Sequence, residues 1–389
     1  MPEIRIRNEN LTEIRNIRHL AEISMQKDRL GTPCAVLVYM NELFTDAREP
    51  EVCGFFRNAP FLTVLVPDSP DDVYVSLAKQ FDLVMTAEEA ETYFEKAFAG
   101  KTSFQCREIT ECFVKARNGS PEDVLMQESR AFYRLMKLKN QNPDDAPDQN
   151  VPENQEDAFL LEEQDGILYL LMNANGNNIM TESFFRYYEA IMERIEKLAG
   201  IGTYKGLIIR GKGRHFSVGA DVKALAERSA EETFNEETGT FPAGHIRQKH
   251  FFTFLSSLPF PVVSVVTGFC IGSGSEIAVN SHFRICEKGA RIGQPESTFG
   301  ILPALGGLGR TLEICGLKQA YQLVMTGELF PAEQAYEIRW ADILTDKKKG
   351  LAEAEALIRS IAEEPEQFDS AKRKSYLHHY LRRKENETA

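Results

Sequence analysis

The sequence is poor in the features of membrane, secreted and nucleic-acid-binding proteins. Seven cysteines lie scattered at 34, 53, 106, 112, 270, 286 and 315, an odd number with no Cys-x-x-Cys pair. That pattern argues against a disulfide frame and a zinc site, and for reduced thiols in a cytoplasmic protein. No apolar run reaches the ~18 residues of a membrane-spanning helix. The longest, 258 to 271, is interrupted by Pro259, Pro261, Ser264 and Gly268. The start, Met1-Pro2-Glu3-Ile4-Arg5, lacks the apolar centre of a secretory signal. Basic charge is also in deficit, with 45 Lys and Arg against 58 Asp and Glu and a formal net charge of −13. A chain that tracks nucleic-acid phosphates needs a basic face. Here only Lys347 to Lys349, Lys372 to Lys374 and Arg382 to Lys384 cluster, and they read as solvated helix faces. Neither nucleic acid nor a membrane is expected as a partner.

What is present is apolar material, 43 % of 389 residues, enough for one large core or two smaller ones. The sharpest change in composition falls between Lys139 and Asp157, with three prolines, a cluster of carboxylates and no aromatic residue. Such a stretch cannot bury enough apolar surface to offset its ordering entropy, and 141–157 reads as an acidic linker. It separates an N-terminal α/β domain (1–140) from a larger α/β part (158–345) and a short helical tail (346–389). In the larger part, 166–172, 205–210 and 262–266 read as strands, and 183–198 and 247–258 as helices. That alternation implies a parallel sheet with right-handed crossovers. From Ala332 onward the reading is almost entirely helical. In the N-terminal part, 35–40 and 61–66 read as strands, 71–80 and 87–98 as helices. Pro60 to Val66 followed by Phe81 to Met85 parallels Pro261 to Thr267 followed by Phe283 to Cys286. Either the domain repeats the larger part's architecture, or two unrelated β-α-β units share a length.

Four local features between 207 and 309 carry chemistry. Arg214-His215-Phe216-Ser217-Val218-Gly219-Ala220-Asp221 follows a strand, and its small residues let backbone N–H groups approach a bound carbonyl. Gly268 to Glu276 leads from a strand into a helix, whose first amides and dipole favour a developing negative charge. Gly272-Ser273-Gly274 shares part of a dinucleotide fingerprint, but Ile277 stands where the third glycine belongs. In Gly293-Gln294-Pro295-Glu296 a proline stiffens the backbone before a carboxylate. Pro303 to Gly309 is a glycine-rich turn before another helix.

Taken in order, these four features resemble the enoyl-CoA hydratase/isomerase family, the crotonase superfamily, over about residues 158 to 345. The resemblance implies a ββα spiral fold with a helical C-terminal segment, preceded here by a smaller α/β domain that is a candidate degenerate copy. It implies an acyl thioester of coenzyme A, or of a carrier's phosphopantetheine, as substrate, with no metal or redox cofactor. The oxyanion hole would be the amides of Val218 and Ser273, where the family usually has Ala and Gly. Glu276 and Glu296 would hold a water over the α,β double bond, with Glu296 acting at Cα and Glu276 orienting the water. Lys223, Ala220 and Asp221 would lie along the coenzyme. Lys223 reads equally as an exposed first-turn lysine, and Asp221 more readily as a loop cap. Asn173, Asn177 and Asn178 are candidates for the mouth of the acyl site. A homo-oligomer, trimer or hexamer, is also implied.

The chain departs from the family in two places. Only 45 residues follow Leu344, a shorter tail than many members use to cover the acyl group, so the N-terminal part is a candidate for closing the pocket. Its own turn, Val66 to Asp72, has no glycine and two prolines, which would disable it as an oxyanion site. Hydration or dehydration is the leading reading. Two others stay open: decarboxylation, double-bond isomerisation or C–C hydrolysis on a related thioester, and a non-catalytic assembly role.

Overall fold

The computed structural model describes residues 3–15, 30, 32–40, 58–68, 78–140, 158–231, 233–364 and 366–388. The expected linker 141–157, most of the helix expected over 71–80, and 69–72 of the glycine-free turn lie outside them.

The N-terminal sheet begins with an antiparallel hairpin, Glu3–Asn8 (β1) and Leu11–Arg15 (β2). Ala35–Met40 (β3), Leu62–Pro67 (β4) and Leu83–Val84 (β5) then add in chain order, each parallel to the one before. Three helices follow. Thr86 caps Ala87–Phe98 (α1), and a Thr102–Gln105 capping box starts Ser103–Ala116 (α2). Pro121–Asn140 (α3) starts where Ser120 and Asp123 exchange hydrogen bonds. Arg117 and Asp82 pair across this unit at 2.5 Å, both nearly buried.

The larger sheet repeats the same plan. Its hairpin is Phe159–Gln164 (β6) and Ile167–Met172 (β7). Thr181 caps Glu182–Ala199 (α4), which buries Phe184, Phe185, Tyr188, Met192 and Ile195 on one face. Gly206–Gly211 (β8) is parallel to β7. Val222–Glu231 (α5) and Ala243–Thr253 (α6) precede Val262–Val266 (β9). The helix expected over 247–258 therefore starts earlier and tightens into a 3₁₀ turn at 254–257 before Pro259 stops it. Phe269–Ile271 (β10), Ser273–Asn280 (α7), Phe283–Glu287 (β11) and Arg291–Gly293 (β12) follow, then a 3₁₀ turn over Pro295–Phe299. Gly307–Cys315 (α8), Leu317–Thr326 (α9), Phe330–Pro331 (β13), Ala332–Glu337 (α10) and Ile343–Thr345 (β14) lead to the tail helices Gly350–Ala362 (α11) and Arg373–Thr388 (α12).

Every residue of β9 is buried, as expected of a central parallel strand covered on both faces. On one face Leu168, Leu170, Leu207, Ile209, Val262 and Val266 pack on α4 and α6. On the other, Ile167, Ile208, Val263 and Val265 pack on Leu357, Ile358, Tyr376 and Tyr380 of the tail. The tail helices thus cover the sheet. The N-terminal unit is joined to the larger part by a shared core in which Phe94, Phe113 and Phe132 meet Ile301, Leu308, Tyr321 and Val324. Tyr321 hydroxyl and Thr110 hydroxyl lie 2.8 Å apart inside it.

Candidate active site

Two turns run side by side at the carboxyl ends of β8 and β9. Ser217 N–H donates to Phe269 O at 3.0 Å, and Ile271 N–H to Ser217 O at 3.2 Å. The approach is so close that a Cβ at 274 would lie 2.7 Å from that of Ser217, which is why glycine occupies the position. Asn178 fastens the first turn from below. Its Nδ2 donates to His215 O and Phe216 O, both at 3.1 Å, and its Oδ1 accepts from Ala174 N–H. At 1 % exposure it does not line an acyl mouth, contrary to expectation; it is a buried tie.

Glu276 sits in the first turn of α7, which presents its side chain to the Pro303–Gly309 turn. Its Oε1 accepts from Leu305 N–H at 2.7 Å and Gly307 N–H at 3.2 Å. Pro295 starts the 3₁₀ turn that carries Glu296, whose Oε1 would be 3.5 Å from a Cβ at Gly272. Its Oε2 is buried and has no hydrogen-bond partner among the described residues. The second carboxylate therefore lies against the glycine turn that begins α7.

Burial raises both carboxyls. Glu276 is pushed up to about 7 by burial, although the Leu305 and Gly307 amides and Lys249 favour its anion. Glu296 is held well above the ordinary range, first by burial and then by the neighbouring Glu276. Two adjacent carboxyls with unequal hydrogen-bond support can divide base and acid roles near neutral pH.

A cavity of about 40 Å³ opens among these groups. Ser273, Glu276, Glu296 and Ala220 line it, with Phe132, Phe185, His245, Gln248 and the 301–305 segment. The other expected residues stand apart. Val218 is outside the lining, and its N–H donates to Asn177 O at 3.3 Å. Asp221 accepts from Lys223 N–H and Ala224 N–H and so caps α5, while Lys223 is exposed. Phe132 and Glu128, both on α3, were not identified from sequence. Their signal was local: Val124, Glu128, Phe132 and Leu135 share one helix face, so a carboxylate stands in an apolar stripe. Among the described residues no group of three or more His, Cys, Asp or Glu could hold a metal, and no helix is long and apolar enough to cross a membrane.

An α/β spiral that brings two glycine-rich turns and two glutamates to one cavity defines a crotonase-type fold. Residues 162–389, well over half the chain, match the enoyl-CoA hydratase/isomerase family. The chain belongs to that family. It is 33 % identical over 188 residues to the fatty acid oxidation complex subunit alpha of Shewanella amazonensis, a match covering 47 % of this chain and 25 % of that protein. It is 27 % identical over 191 residues to a protein of Bacillus subtilis named "Probable enoyl-CoA hydratase", covering 49 % of this chain and 70 % of that one. The chain thus spans about a quarter of the length of the alpha subunit it matches. Among solved structures, an enoyl-CoA hydratase/carnithine racemase from Magnetospirillum magneticum gives a TM-score of 0.49 at 20 % identity, covering 61 % of this chain and 84 % of that one.

Proposed function

We propose that the chain hydrates α,β-unsaturated acyl thioesters of coenzyme A or of a carrier's phosphopantetheine, and catalyses the reverse dehydration. The observation that carries this reading is that Glu276, Glu296 and Ser273 line one small cavity. The thioester carbonyl would sit between the amides of Ser273 and Val218. Ser273 is the first residue of α7, where amides have no partner within the helix. Val218 would exchange its 3.3 Å bond to Asn177, near the long limit of hydrogen bonding, for the carbonyl oxygen. One such preorganised donor contributes about 3–4 kcal/mol to the transition state.

Glu276, whose anion is supported by two amides, is the base that takes a proton from water as its oxygen attacks Cβ. Glu296, held protonated by burial and by its charged neighbour, gives its proton to Cα as the enolate collapses. One proton is taken and one given, and proton exchange between the carboxyls restores the starting state. Ala220 borders the cavity, and Asp221 and Lys223, which follow it in sequence at the start of α5, are the candidates for the coenzyme's path.

The N-terminal unit belongs to this proposal twice. Its hairpin followed by parallel strands in chain order matches the plan of the larger sheet, which supports reading it as a degenerate copy. Its α3 supplies Phe132 to the cavity wall, which supports a role for this unit in closing the acyl site. Assembly into a trimer or hexamer is a further part of the proposal, measurable by sedimentation. Purified full-length chain mixed with crotonyl-CoA should lose the conjugated enoyl absorbance and yield the 3-hydroxyacyl product. No loss with crotonyl-, hexenoyl- or carrier-linked enoyl substrates would exclude hydration.

A further inference from the structure

The helix that supplies Phe132 to the cavity wall also carries, one turn earlier, a group that hydration by Glu276 and Glu296 does not use. Glu128 on α3 is 0 % exposed. Its Oε1 accepts from Gly306 N–H at 2.6 Å and its Oε2 from Gly309 N–H at 3.1 Å. Glu276 takes two neighbouring amides of the same turn, Leu305 at 2.7 Å and Gly307 at 3.2 Å. Two carboxylates, one from each unit, thus share the amides at the start of α8. Helix starts are ordinarily capped by a nearby Ser, Thr, Asp or Asn. Here the cap position is Gly306, which has no side chain, and both caps come from distant segments.

The charge balance points the same way. Lys249 of α6 donates to Ser129 Oγ at 2.6 Å and to Leu125 O, on the turn of α3 that carries Glu128. Its ammonium attracts both Glu128 and Glu276. A simple cap would not require a second buried carboxylate beside the first, because like charges in a low-dielectric interior repel. What the arrangement does achieve is a division of donors. With Glu128 gone, the buried Gly306 amide and the half-buried Gly309 amide would lose their acceptors, an unfavourable state. The Glu276 carboxylate, already bound to the amides beside them, is the acceptor within reach. Turning toward them would take it from the cavity.

We propose that Glu128 is a positioning residue contributed by the N-terminal unit, holding the 305–309 turn so that Glu276 keeps its carboxylate on the acyl cavity. The role of Glu276 in this statement rests on the hydratase reading above. The test compares Glu128→Gln and Glu128→Asp in the full-length chain. Gln accepts from one amide and turns an NH₂ toward the other. Asp keeps the carboxyl group but is one methylene short of spanning both, and it is the variant to read if Gln does not fold. Both should lower kcat for crotonyl-CoA by about tenfold or more with KM within about twofold. A crystal structure of either variant should show Glu276 turned from Leu305 N–H toward Gly306 or Gly309. A lower Tm with unchanged kcat and an unmoved Glu276 would make Glu128 a structural cap only and overturn the proposal. If the wild type hydrates no enoyl-CoA, the hydratase reading fails, and the position of Glu276 in the variant crystal still decides what Glu128 does.

Discussion

Replacing Gly307 by Ala adds one methyl group at the point where the turn meets the first carboxylate. That methyl would lie 2.7 Å from Glu276 Cγ, 2.8 Å from its Oε1 and 2.9 Å from Gln294 Nε2. Carbon atoms in contact prefer about 3.5–4.0 Å, so Glu276 has to recede by about 1 Å. Gln294 cannot absorb the movement freely, because its Nε2 donates to Thr311 Oγ1 at 3.1 Å in the same buried layer. The shift weakens the two amide bonds to the carboxylate, each worth about 1.5–3 kcal/mol when the acceptor is charged. Alanine at this first helical position returns at most about 1 kcal/mol through propensity. The net expectation is a folded protein destabilised by about 1–3 kcal/mol. Catalysis should suffer more, since a misplacement of about 1 Å costs on the order of 100-fold in rate. Thermal unfolding and steady-state hydration of crotonyl-CoA measure the two effects separately. A Gly307→Ala protein that hydrates at the wild-type rate would refute the placement of Glu276 in the reaction.

Three further outcomes follow from the same geometry. Asn178→Ala removes a buried side chain that joins Ala174, His215 and Phe216, so Tm should fall by an amount equivalent to about 2–4 kcal/mol and kcat should fall with it, read by calorimetry and the hydration assay. Phe132→Ala should open the cavity, raising kcat/KM for enoyl chains of eight or more carbons relative to crotonyl-CoA, as measured across a chain-length series. The third concerns pH. Burial raises Glu276 to about 7 and Glu128 to about 8, both above the ordinary 4.5, so the folded chain holds protons that the unfolded chain has lost. Their contribution to stability is whole below about pH 4.5 and is lost as pH rises through those folded values. Between pH 5 and 8, Tm should therefore fall more steeply in wild type than in Glu128→Gln, and parallel slopes would show that Glu128 does not titrate in that window.

The larger α/β part of the chain was legible because its signals are local. Short runs rich in apolar and β-branched residues marked β7, β8 and β9, and the glycine turns with Glu276 and Glu296 occupy short contiguous stretches. Between 332 and 388 the helices emerged as read, although the three-residue strand β14 lies among them. What stayed hidden depends on contacts distant in sequence. The hairpin β1–β2 rests on a short alternation of charge and isoleucine, too brief for a periodicity argument. Asn178 read as a candidate for the acyl mouth, because its bonds to the 212–216 loop exist only in the folded chain. Glu128 lies in an apolar stripe whose partner surface, the 305–309 turn, begins more than 170 residues later, and no local pattern announces that pairing. The Val218 amide could be placed by motif, but its bond to Asn177 required the folded turn.

In the proposed reaction Glu276 and Glu296 together add water to an enoyl thioester. Steady-state hydration of crotonyl-CoA by Glu276→Gln and Glu296→Gln, with acyl-CoA binding followed in parallel by thermal shift, tests it most directly. General acid–base catalysis contributes about 10²–10⁴-fold, so each variant should lose activity in that range while butyryl-CoA still raises its Tm. Wild-type turnover in either variant would contradict the account.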